Sequence, residues 1–354
     1  MTGGAFRRHY ARLPSLALIG VLISHLALAA CDRSEPIVVI QLHPKNPDIL
    51  YVTTNDYIYK SRDGGKTWAN ISRGMSHSRV IAMAVDPSYP ATVYAGTKGD
   101  AVYKSYDGGQ RWASMRSGLD DATISSVVNQ FVFDPYDSNH IFAATTMGIF
   151  ETKTGGGSWV KKMEGMKEVL MVVAMGMDPT RPAVLYAGTS GGVYKSVNEG
   201  GHWEKVNNGL VPPEMIKSSR ALNVTSIHVD PFEPDTVYAA TLSGLFKSTD
   251  GAASWDRIGQ SLQDQMIISM ILDRSKRGVI YITGRDGVHR SGDGGANWKT
   301  LNKGFASTNI RSIAQSATNP DIFYAGTNGS GLYRSQDAGE TWESMPAVTH
   351  NAGV

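Results

Sequence analysis

Short apolar runs separated by turn residues recur along most of the chain at nearly regular intervals. A typical unit starts with the apolar run 80–85, ends it at Asp86-Pro87, and continues with runs at 93–97 and 101–105. Runs of this length bounded by Gly, Pro and Asp predict β-strands, and proline marks a strand end because it cannot donate to the ladder. We expect four short antiparallel strands per unit, the third covering 101–105 and the fourth starting at Trp112. The small residues Ala95 and Gly96 in the second strand predict close approach of neighbouring backbones.

The turn before each fourth strand carries the pattern S-x-D-x-G-x-x-W, which occurs seven times. The copies begin at Ser61, Ser105, Thr152, Ser196, Ser248, Ser291 and Ser335, at intervals of 44, 47, 44, 52, 43 and 44 residues. Such a period predicts a propeller or a solenoid. Because the sequence leaves no capping repeats, we predict an all-β fold, a seven-bladed β-propeller with four-stranded antiparallel blades over residues 36–346; a solenoid is the alternative.

The residue types of the pattern suit a structural staple between two strands. An aspartate carboxylate accepts hydrogen bonds from the N–H groups of its own turn, glycines adopt the positive φ of a tight turn, and tryptophan buries a large aromatic surface. Thr154 and Asn198 replace the aspartate in two copies, which argues against calcium binding, and we predict neither a metal site nor a cofactor. The predicted staple residues are Asp63, Trp68, Asp107, Trp112, Trp159, Asn198, Trp203, Asp250, Trp255, Asp293, Trp298, Asp337 and Trp342.

The first 35 residues have the form of an export and anchoring segment. Arg7, Arg8 and Arg12 precede an apolar run at 16–30 that is short for a membrane span. The sequence Leu28-Ala29-Ala30-Cys31 resembles the bacterial lipobox, in which the chain is cleaved before a cysteine that receives lipid, and Cys31 is the single cysteine. We expect a signal peptide over 1–30, a lipidated tether over 31–35 and a tail over 347–354. The protein would then be an exported, membrane-anchored lipoprotein facing the periplasm or the cell exterior.

The charge balance gives no argument for a nucleic-acid partner. Because residues 1–30 contain three arginines and no acidic residue, the remaining chain has 31 basic and 32 acidic residues. Nucleic-acid binding normally requires a strongly basic surface. We therefore predict that the partner is not a nucleic acid.

The seven copies resemble the Asp-box, or BNR repeat, of sialidases, xyloglucan-active glycosidases, the sortilin ectodomain and the photosystem II assembly and stability factor. The resemblance covers about residues 36–346 and implies the propeller fold, but these proteins differ in activity, so it does not imply one function. The assembly-factor type is similar in being a lone seven-bladed propeller that is often a lipoprotein. That similarity implies a protein-binding scaffold or assembly factor for a membrane or cell-envelope complex.

The resemblance also places the boxes and the Asp-Pro turns on one face, so the remaining loops form the opposite face and the mouth of the channel. The longest of these loops contains an insertion over 209–223, and long loops on a rigid scaffold often carry function. An ordinary solvated rim is the alternative for these charges. The predicted partner-binding residues are Arg79, Lys217, Arg220, Arg285 and Arg311, with His77, Asp120, Asp121, Lys167, Glu168, Glu214 and Asp286 as further candidates.

A catalytic set is not evident in the sequence. A sialidase-like enzyme needs three arginines around a carboxylate, a tyrosine nucleophile with its glutamate, and an acidic residue, and the R-I-P sequence typical of that family is absent. The xyloglucan-active relatives use two propellers, whereas this chain predicts one. No zinc spacing, phosphate-binding loop or nucleophile elbow occurs. We predict a non-catalytic binder; the alternative is a glycoside hydrolase or a carbohydrate-binding propeller.

Overall fold

The computed structural model describes residues 35–75, 79–119, 127–167, 171–210, 222–262 and 266–348. In these segments 28 strands form seven sheets, and each sheet is an antiparallel set of four consecutive strands. The prediction of an all-β, seven-bladed propeller with four-stranded blades is confirmed. No helix among the described residues has the length and apolar character needed to cross a membrane.

The first two strands of each blade form an antiparallel pair. Blade by blade, they are β1 (Val39–Leu42) and β2 (Leu50–Thr53), β5 (Val80–Val85) and β6 (Val93–Thr97), β9 (Val128–Phe133) and β10 (Ile141–Thr145), β13 (Val172–Met177) and β14 (Leu185–Thr189), β17 (Val224–Val229) and β18 (Val237–Thr241), β21 (Ile267–Leu272) and β22 (Ile280–Gly284), and β25 (Ile310–Gln315) and β26 (Phe323–Thr327).

The third and fourth strands enclose the box. They are β3 (Ile58–Ser61) and β4 (Ala69–Asn70), β7 (Val102–Ser105) and β8 (Ala113–Ser114), β11 (Gly148–Thr152) and β12 (Val160–Lys161), β15 (Gly192–Ser196) and β16 (Glu204–Lys205), β19 (Gly244–Ser248) and β20 (Asp256–Ile258), β23 (Gly287–Ser291) and β24 (Lys299–Thr300), and β27 (Leu332–Ser335) and β28 (Glu343–Ser344). A single 3₁₀ turn, Gln260–Leu262, follows β20 in the described part of the chain.

Two predicted strand boundaries were wrong by one residue. The third strand of blade 2 begins at Val102, because Ala101 has a φ of 55° and so belongs to the preceding turn. The fourth strand begins after the tryptophan, at Ala113 in blade 2. The indole of Trp112 is instead turned towards the preceding blade, where its Nε1 donates to the Ile71 carbonyl at 2.7 Å.

Blade 7 closes against blade 1, which rules out the solenoid alternative. The Ile37 amide donates to the Thr327 carbonyl at 3.1 Å, and the Tyr324 hydroxyl donates to the Gly64 carbonyl at 3.1 Å. Ile37, Leu50 and Tyr324 share one buried apolar cluster. Each blade keeps its own four strands, so side-chain packing and these hydrogen bonds close the ring without strand exchange.

The core lies between blades rather than inside any one of them. Seven buried clusters each combine residues of two adjacent blades; in one, Tyr94 of blade 2 packs with Phe131 and Trp159 of blade 3. Small residues in the second strand make this packing possible: a Cβ on Gly96 would lie 2.6 Å from Cγ1 of Val128 in the next blade. The close approach predicted for these positions therefore involves a β-branched side chain and not a second backbone.

A pair of polar side chains ties each blade to the box of the next one. Tyr94 and Lys104, which are register partners in blade 2, both donate to the Gly155 carbonyl in blade 3, at 3.0 and 2.8 Å. Blade 3 differs, since Phe142 and Glu151 hold the corresponding register positions. The corresponding pairs in the other blades are Tyr51 with Lys60, Tyr186 with Lys195, Tyr238 with Lys247, Tyr281 with Arg290, and Tyr324 with Arg334.

The antiparallel order places the loops on two faces. Turns between first and second strands, and the boxes between third and fourth strands, lie on one side, which we call the box face. Loops between second and third strands, and those linking successive blades, lie on the other side, which we call the mouth face. The first strands of adjacent blades lie side by side and line the channel that opens there.

Candidate binding site at the mouth of the channel

Arg79 stands at the mouth face directly before β5. Its carbonyl accepts a hydrogen bond from the Lys98 amide at 2.8 Å, which fixes the backbone against the loop between β6 and β7. The guanidinium Nε is buried and has no hydrogen-bond partner among the residues that the structure describes. A buried N–H without a partner is costly, so this nitrogen is suited to donate to an incoming group.

Arg311 is the second residue of β25 in blade 7 and lies close to Arg79. Its Nη1 donates to Oδ1 of Asn328 at 3.2 Å. Burial, and then the positive charge of Arg79, lower the pKa of Arg311 below its ordinary value. Two guanidinium groups that repel one another create a positive potential, which an anionic group would relieve.

The remaining predicted mouth residues are distributed differently. Arg285 is exposed in the loop between β22 and β23, where its backbone carbonyl accepts a hydrogen bond from the Thr308 hydroxyl at 3.0 Å. Within the described segments, Arg79, Arg285 and Arg311 form no ion pair. Lys217, Arg220 and the lipidation residue Cys31 lie outside the described residues, as do His77, Asp120, Asp121, Glu168 and Glu214.

One acidic group of the mouth face is already neutralised. Asp100, in the loop between β6 and β7, forms an ion pair with Arg116 and accepts a hydrogen bond from the Tyr103 hydroxyl. Its side chain is largely buried, and the Thr97 hydroxyl accepts a hydrogen bond from its amide at 3.1 Å. Asp100 is therefore engaged within blade 2 rather than available to offset the charges of Arg79 and Arg311.

The box face carries a repeated hydrogen-bond arrangement. In blade 1, Oδ1 of Asp63 accepts from the Thr67 amide at 2.9 Å and from the Ser61 hydroxyl at 2.7 Å, while Ser61 Oγ accepts from the Gly65 amide at 2.8 Å. Asp107, Asp250, Asp293 and Asp337 accept the same bonds in their blades. The carboxylates thus accept hydrogen bonds from the turns that contain them and stabilise those turns.

The two substituted boxes keep this arrangement with a different oxygen. In blade 4, Oδ1 of Asn198 accepts from the His202 amide at 2.8 Å. In blade 3, Oγ1 of Thr154 accepts from the Ser158 amide at 3.0 Å. The turn requires an oxygen acceptor at this position and does not require a negative charge.

Six of the seven box tryptophans are buried and Trp298 is half-buried, and five of the seven donate a hydrogen bond to the preceding blade. Trp203 has 1% of its surface exposed, and its Nε1 donates to the Lys162 carbonyl of blade 3 at 3.2 Å. Trp159, Trp255 and Trp342 make the corresponding bond. Trp298 donates within its own box, to the Gly295 carbonyl at 3.0 Å, and Trp68 Nε1 is buried and has no hydrogen-bond partner in the described part of the chain.

Sequence reasoning missed a polar cluster on the box face between blades 3 and 4. His140, Glu151 and Glu199 bring one ligand atom each to within 4.8 Å of one another. They come from the turn before β10, from β11 and from the box of blade 4, so no short motif contains them. An alignment of the repeats would have revealed them, because each occupies a position where the other blades lack a histidine or a carboxylate.

Comparison with known families gives a partial sequence match. The family model for sortilin-Vps10 (sortilin, neurotensin receptor 3) matches residues 56–181, just over a third of the chain, and this stretch includes the first three boxes. No curated protein sequence matches the chain.

Solved structures of glycoside hydrolases share the fold. An ancestral GH74 enzyme is 18% identical with a TM-score of 0.69, and the match covers 88% of this chain and 46% of the enzyme. The GH74 xyloglucanase from Xanthomonas campestris is 16% identical with a TM-score of 0.61, covering 88% of this chain and 61% of the enzyme. The chain therefore spans about half the length of the first enzyme and about three-fifths of the second.

A second group of structures matches over nearly its whole length. YCF48 bound to D1 peptide is 16% identical with a TM-score of 0.62, and the match covers 86% of this chain and 94% of YCF48. At these identities the likeness concerns the fold. The chain is a seven-bladed β-propeller with seven copies of the S-x-D-x-G-x-x-W pattern, and the solved structures that share this fold include both YCF48 and GH74 glycoside hydrolases.

Proposed function

We propose that the protein is a non-catalytic scaffold or assembly factor that binds an acidic segment of a protein partner at its mouth face. The partner would belong to a membrane or cell-envelope complex, and a lipid on Cys31 would hold the propeller beside it. The binding residues would be Arg79 and Arg311, with Arg285, Lys217 and Arg220 as additional contacts.

The observation that carries the proposal is the arginine pair at the channel mouth. Arg79 and Arg311 are partly buried and close enough to repel one another, and neither forms an ion pair in the described part of the chain. Holding two like charges together destabilises the free protein. A carboxylate or another anionic group on a partner would remove that cost and gain charge-assisted hydrogen bonds.

The comparisons fit this proposal in one respect. The structural match covers 94% of YCF48, and the solved complex of YCF48 contains a D1 peptide. A peptide is the class of ligand that a rigid ring with a charged mouth can bind without catalysis. The proposal for this chain concerns that mode of binding and not the identity of the peptide.

A pull-down comparison tests the binding role. The tagged, lipidated protein is recovered from gently solubilised membranes, and the proteins that remain bound are identified by mass spectrometry. We expect a stoichiometric partner with the wild type and its loss with the double variant Arg79→Gln/Arg311→Gln. Arg111→Gln, an exposed arginine on the box face, is the matched control and should retain the partner. Retention by the double variant would contradict the role of the arginine pair.

A fractionation experiment tests the tether separately. Cys31 is the only residue that can carry the proposed lipid. We expect Cys31→Ser to move the protein from the membrane fraction to the soluble fraction, because the acyl chains supply the membrane affinity. A variant that remains in the membrane fraction would exclude lipid on Cys31 as the anchor.

The second candidate function is a glycoside hydrolase or carbohydrate-binding propeller, and the GH74 matches support it. A hydrolase of the common type requires two carboxyl groups about 5–10 Å apart that flank the scissile bond. A screen of glycan hydrolysis and glycan binding with the purified protein distinguishes the two functions. Turnover or saturable glycan binding by the wild type, unaffected by Arg79→Gln/Arg311→Gln, would favour this candidate.

A further inference from the structure

The junction between blades 3 and 4 departs from the other junctions of the ring. Elsewhere a tyrosine and a lysine or arginine face a glycine or alanine of the next box, and the carbonyl of that residue accepts their hydrogen bonds in most blades. Here Phe142 and Glu151 replace the donors, and Glu199 takes the glycine position. Glu199 adopts the positive φ of that position, at 56°. The junction has thus lost its usual donors and gained two carboxylates.

A buried histidine lies beside these two carboxylates. His140 lies immediately before β10, where the other blades have Ile, Thr or Val, and 5% of its surface is exposed. Its Nε2 lies 2.9 Å from Oε1 of Glu151, which is itself 6% exposed. Three residues from two blades, each exceptional for its repeat position, therefore converge on one point of the box face.

We propose that His140, Glu151 and Glu199 bind a divalent metal ion of the zinc class across this junction. Zinc takes imidazole nitrogen and carboxylate oxygen at about 2.0–2.2 Å, so its ligand atoms lie roughly 3.3 Å apart in a tetrahedral site. The three ligand atoms are within 4.8 Å of one another. Binding therefore requires these ligand atoms to move closer together by up to about 1.5 Å.

The surroundings of His140 support this role. Its other ring nitrogen, Nδ1, lies 3.0 Å from Oδ2 of Asp134, whose side chain is mostly buried. A histidine that binds a metal through one nitrogen commonly donates through the other to a carboxylate, which fixes the ring and its tautomer. Asp134 supplies that carboxylate and leaves Nε2 directed at the two glutamates.

Two lysines occupy the same region and compete with a metal ion. Nζ of Lys153 lies 2.7 Å from Glu199 and 3.7 Å from Glu151, and Nζ of Lys162 lies 2.9 Å from Glu151. Lys153 is more than half exposed, so it can leave when a divalent ion takes its place. The ion would then join blade 3 to blade 4, a connection that Tyr94 and Lys104 make at the preceding junction.

Zinc titration of the purified full-length protein tests the site. We expect one ion per chain by calorimetry, a rise in the unfolding temperature with zinc, and the visible absorption of tetrahedral cobalt when Co²⁺ is substituted. Glu199→Gly restores the residue found at this position in five other boxes, so the variant should fold. It should weaken zinc binding at least tenfold and abolish the zinc-dependent rise, and His140→Ala should do the same.

Two further variants make the result specific. Lys153→Ala removes the competing ammonium group and should tighten zinc binding several-fold. His202→Ala removes an exposed histidine of the same face and should leave the affinity unchanged. Equal zinc affinity in the wild type, Glu199→Gly and His140→Ala would overturn the proposal and leave the cluster as a salt-bridge network only.

Discussion

The box face and the mouth face differ in how they use polar residues. On the box face the same hydrogen bonds recur in all seven turns, and Asn198 or Thr154 maintains them where aspartate is absent. On the mouth face the charged residues do not repeat: Arg79 and Arg311 lie near one another, whereas Arg285 is exposed in the loop between β22 and β23. Repeated polar residues stabilise the fold of every blade. Residues that occur once, and that the fold does not satisfy, are the candidates for binding.

The junction between blades 3 and 4 shows that the box face also contains polar residues that do not repeat. Most polar groups there repeat and are explained by the turns. His140, Glu151 and Glu199 do not repeat, and they form the one cluster of potential metal ligands found in the described residues. Polar residues that repeat from blade to blade are therefore structural on either face, and polar residues that occur once are the candidates for binding on either face.

The largest effect on stability should come from a box tryptophan. Trp203→Ala removes an almost completely buried side chain between blades 3 and 4. We expect the free energy of unfolding to fall by about 3–5 kcal/mol, measured by urea denaturation. Val160→Ala, an exposed residue of β12, is the control and should change it by less than about 0.5 kcal/mol. A comparable small change for Trp203→Ala would show that the junctions do not hold the ring.

Low pH should weaken the boxes together. Hydrogen bonds lower the pKa of Asp250 from 3.8 to about 2, and the bond from the Ser254 hydroxyl contributes most. Hydrogen bonds also lower the pKa of Asp293 from 3.8 to about 2, and the bond from the Asn297 backbone amide contributes most. These carboxylates have a lower pKa in the folded state than in the unfolded state. They therefore stabilise the folded protein at pH values above the pKa of the unfolded state, and this stabilisation is lost as the pH falls through the pKa of the folded state. We expect urea stability to decline between about pH 5 and pH 2. A flat profile over that window would contradict this role of the carboxylates.

A single box aspartate should have a smaller effect. Asp250→Ala removes the acceptor for the Ser254 amide at 2.9 Å and for the Ser248 hydroxyl at 2.7 Å. We expect a loss of about 1–2 kcal/mol in the free energy of unfolding, similar to the loss of a capping side chain. Asp250→Asn should cost less than half as much, since Asn198 serves this position in blade 4. Equal losses would mean that the charge, and not the acceptor, is required.

The smallest effect on stability should come from the mouth face. Arg285 is exposed and its backbone carbonyl accepts the hydrogen bond from Thr308, so Arg285→Gln should change the free energy of unfolding by less than about 0.5 kcal/mol. The same substitution should weaken partner binding if Arg285 is an additional contact. Chemical denaturation and quantitative pull-down of the same preparation measure both quantities. A stability loss as large as that of Asp250→Ala would remove the distinction between the faces.

The fold could be predicted from the sequence because the box repeats in sequence as well as in space. Seven tryptophans at a nearly constant period define seven blades, and turn residues define the strands within them. The structure adds that Gly96 makes room for Val128 of the next blade, a relation between repeats that no single repeat contains.

The candidate sites were predictable only in part. Arg79 and Arg311 were selected as charges of the mouth face, but their proximity depends on closure of the ring, which places blade 7 against the first side of blade 1 and blade 2 against the other. His140 and Glu199 are 59 residues apart in sequence and meet only because blades 3 and 4 pack against each other. Closure of the ring and contact between blades are long-range consequences of packing, which local patterns do not encode.

The most direct test of the account compares partner recovery by Arg79→Gln/Arg311→Gln and by Asp250→Ala in one pull-down, with the unfolding temperature of each. We expect the arginine variant to lose the partner with no fall in its unfolding temperature, which relief of the repulsion between Arg79 and Arg311 can only raise, while the aspartate variant is less stable and retains the partner. Retention of the partner by the arginine variant, or loss by both, would contradict the separation between a face that holds the fold and a face that binds.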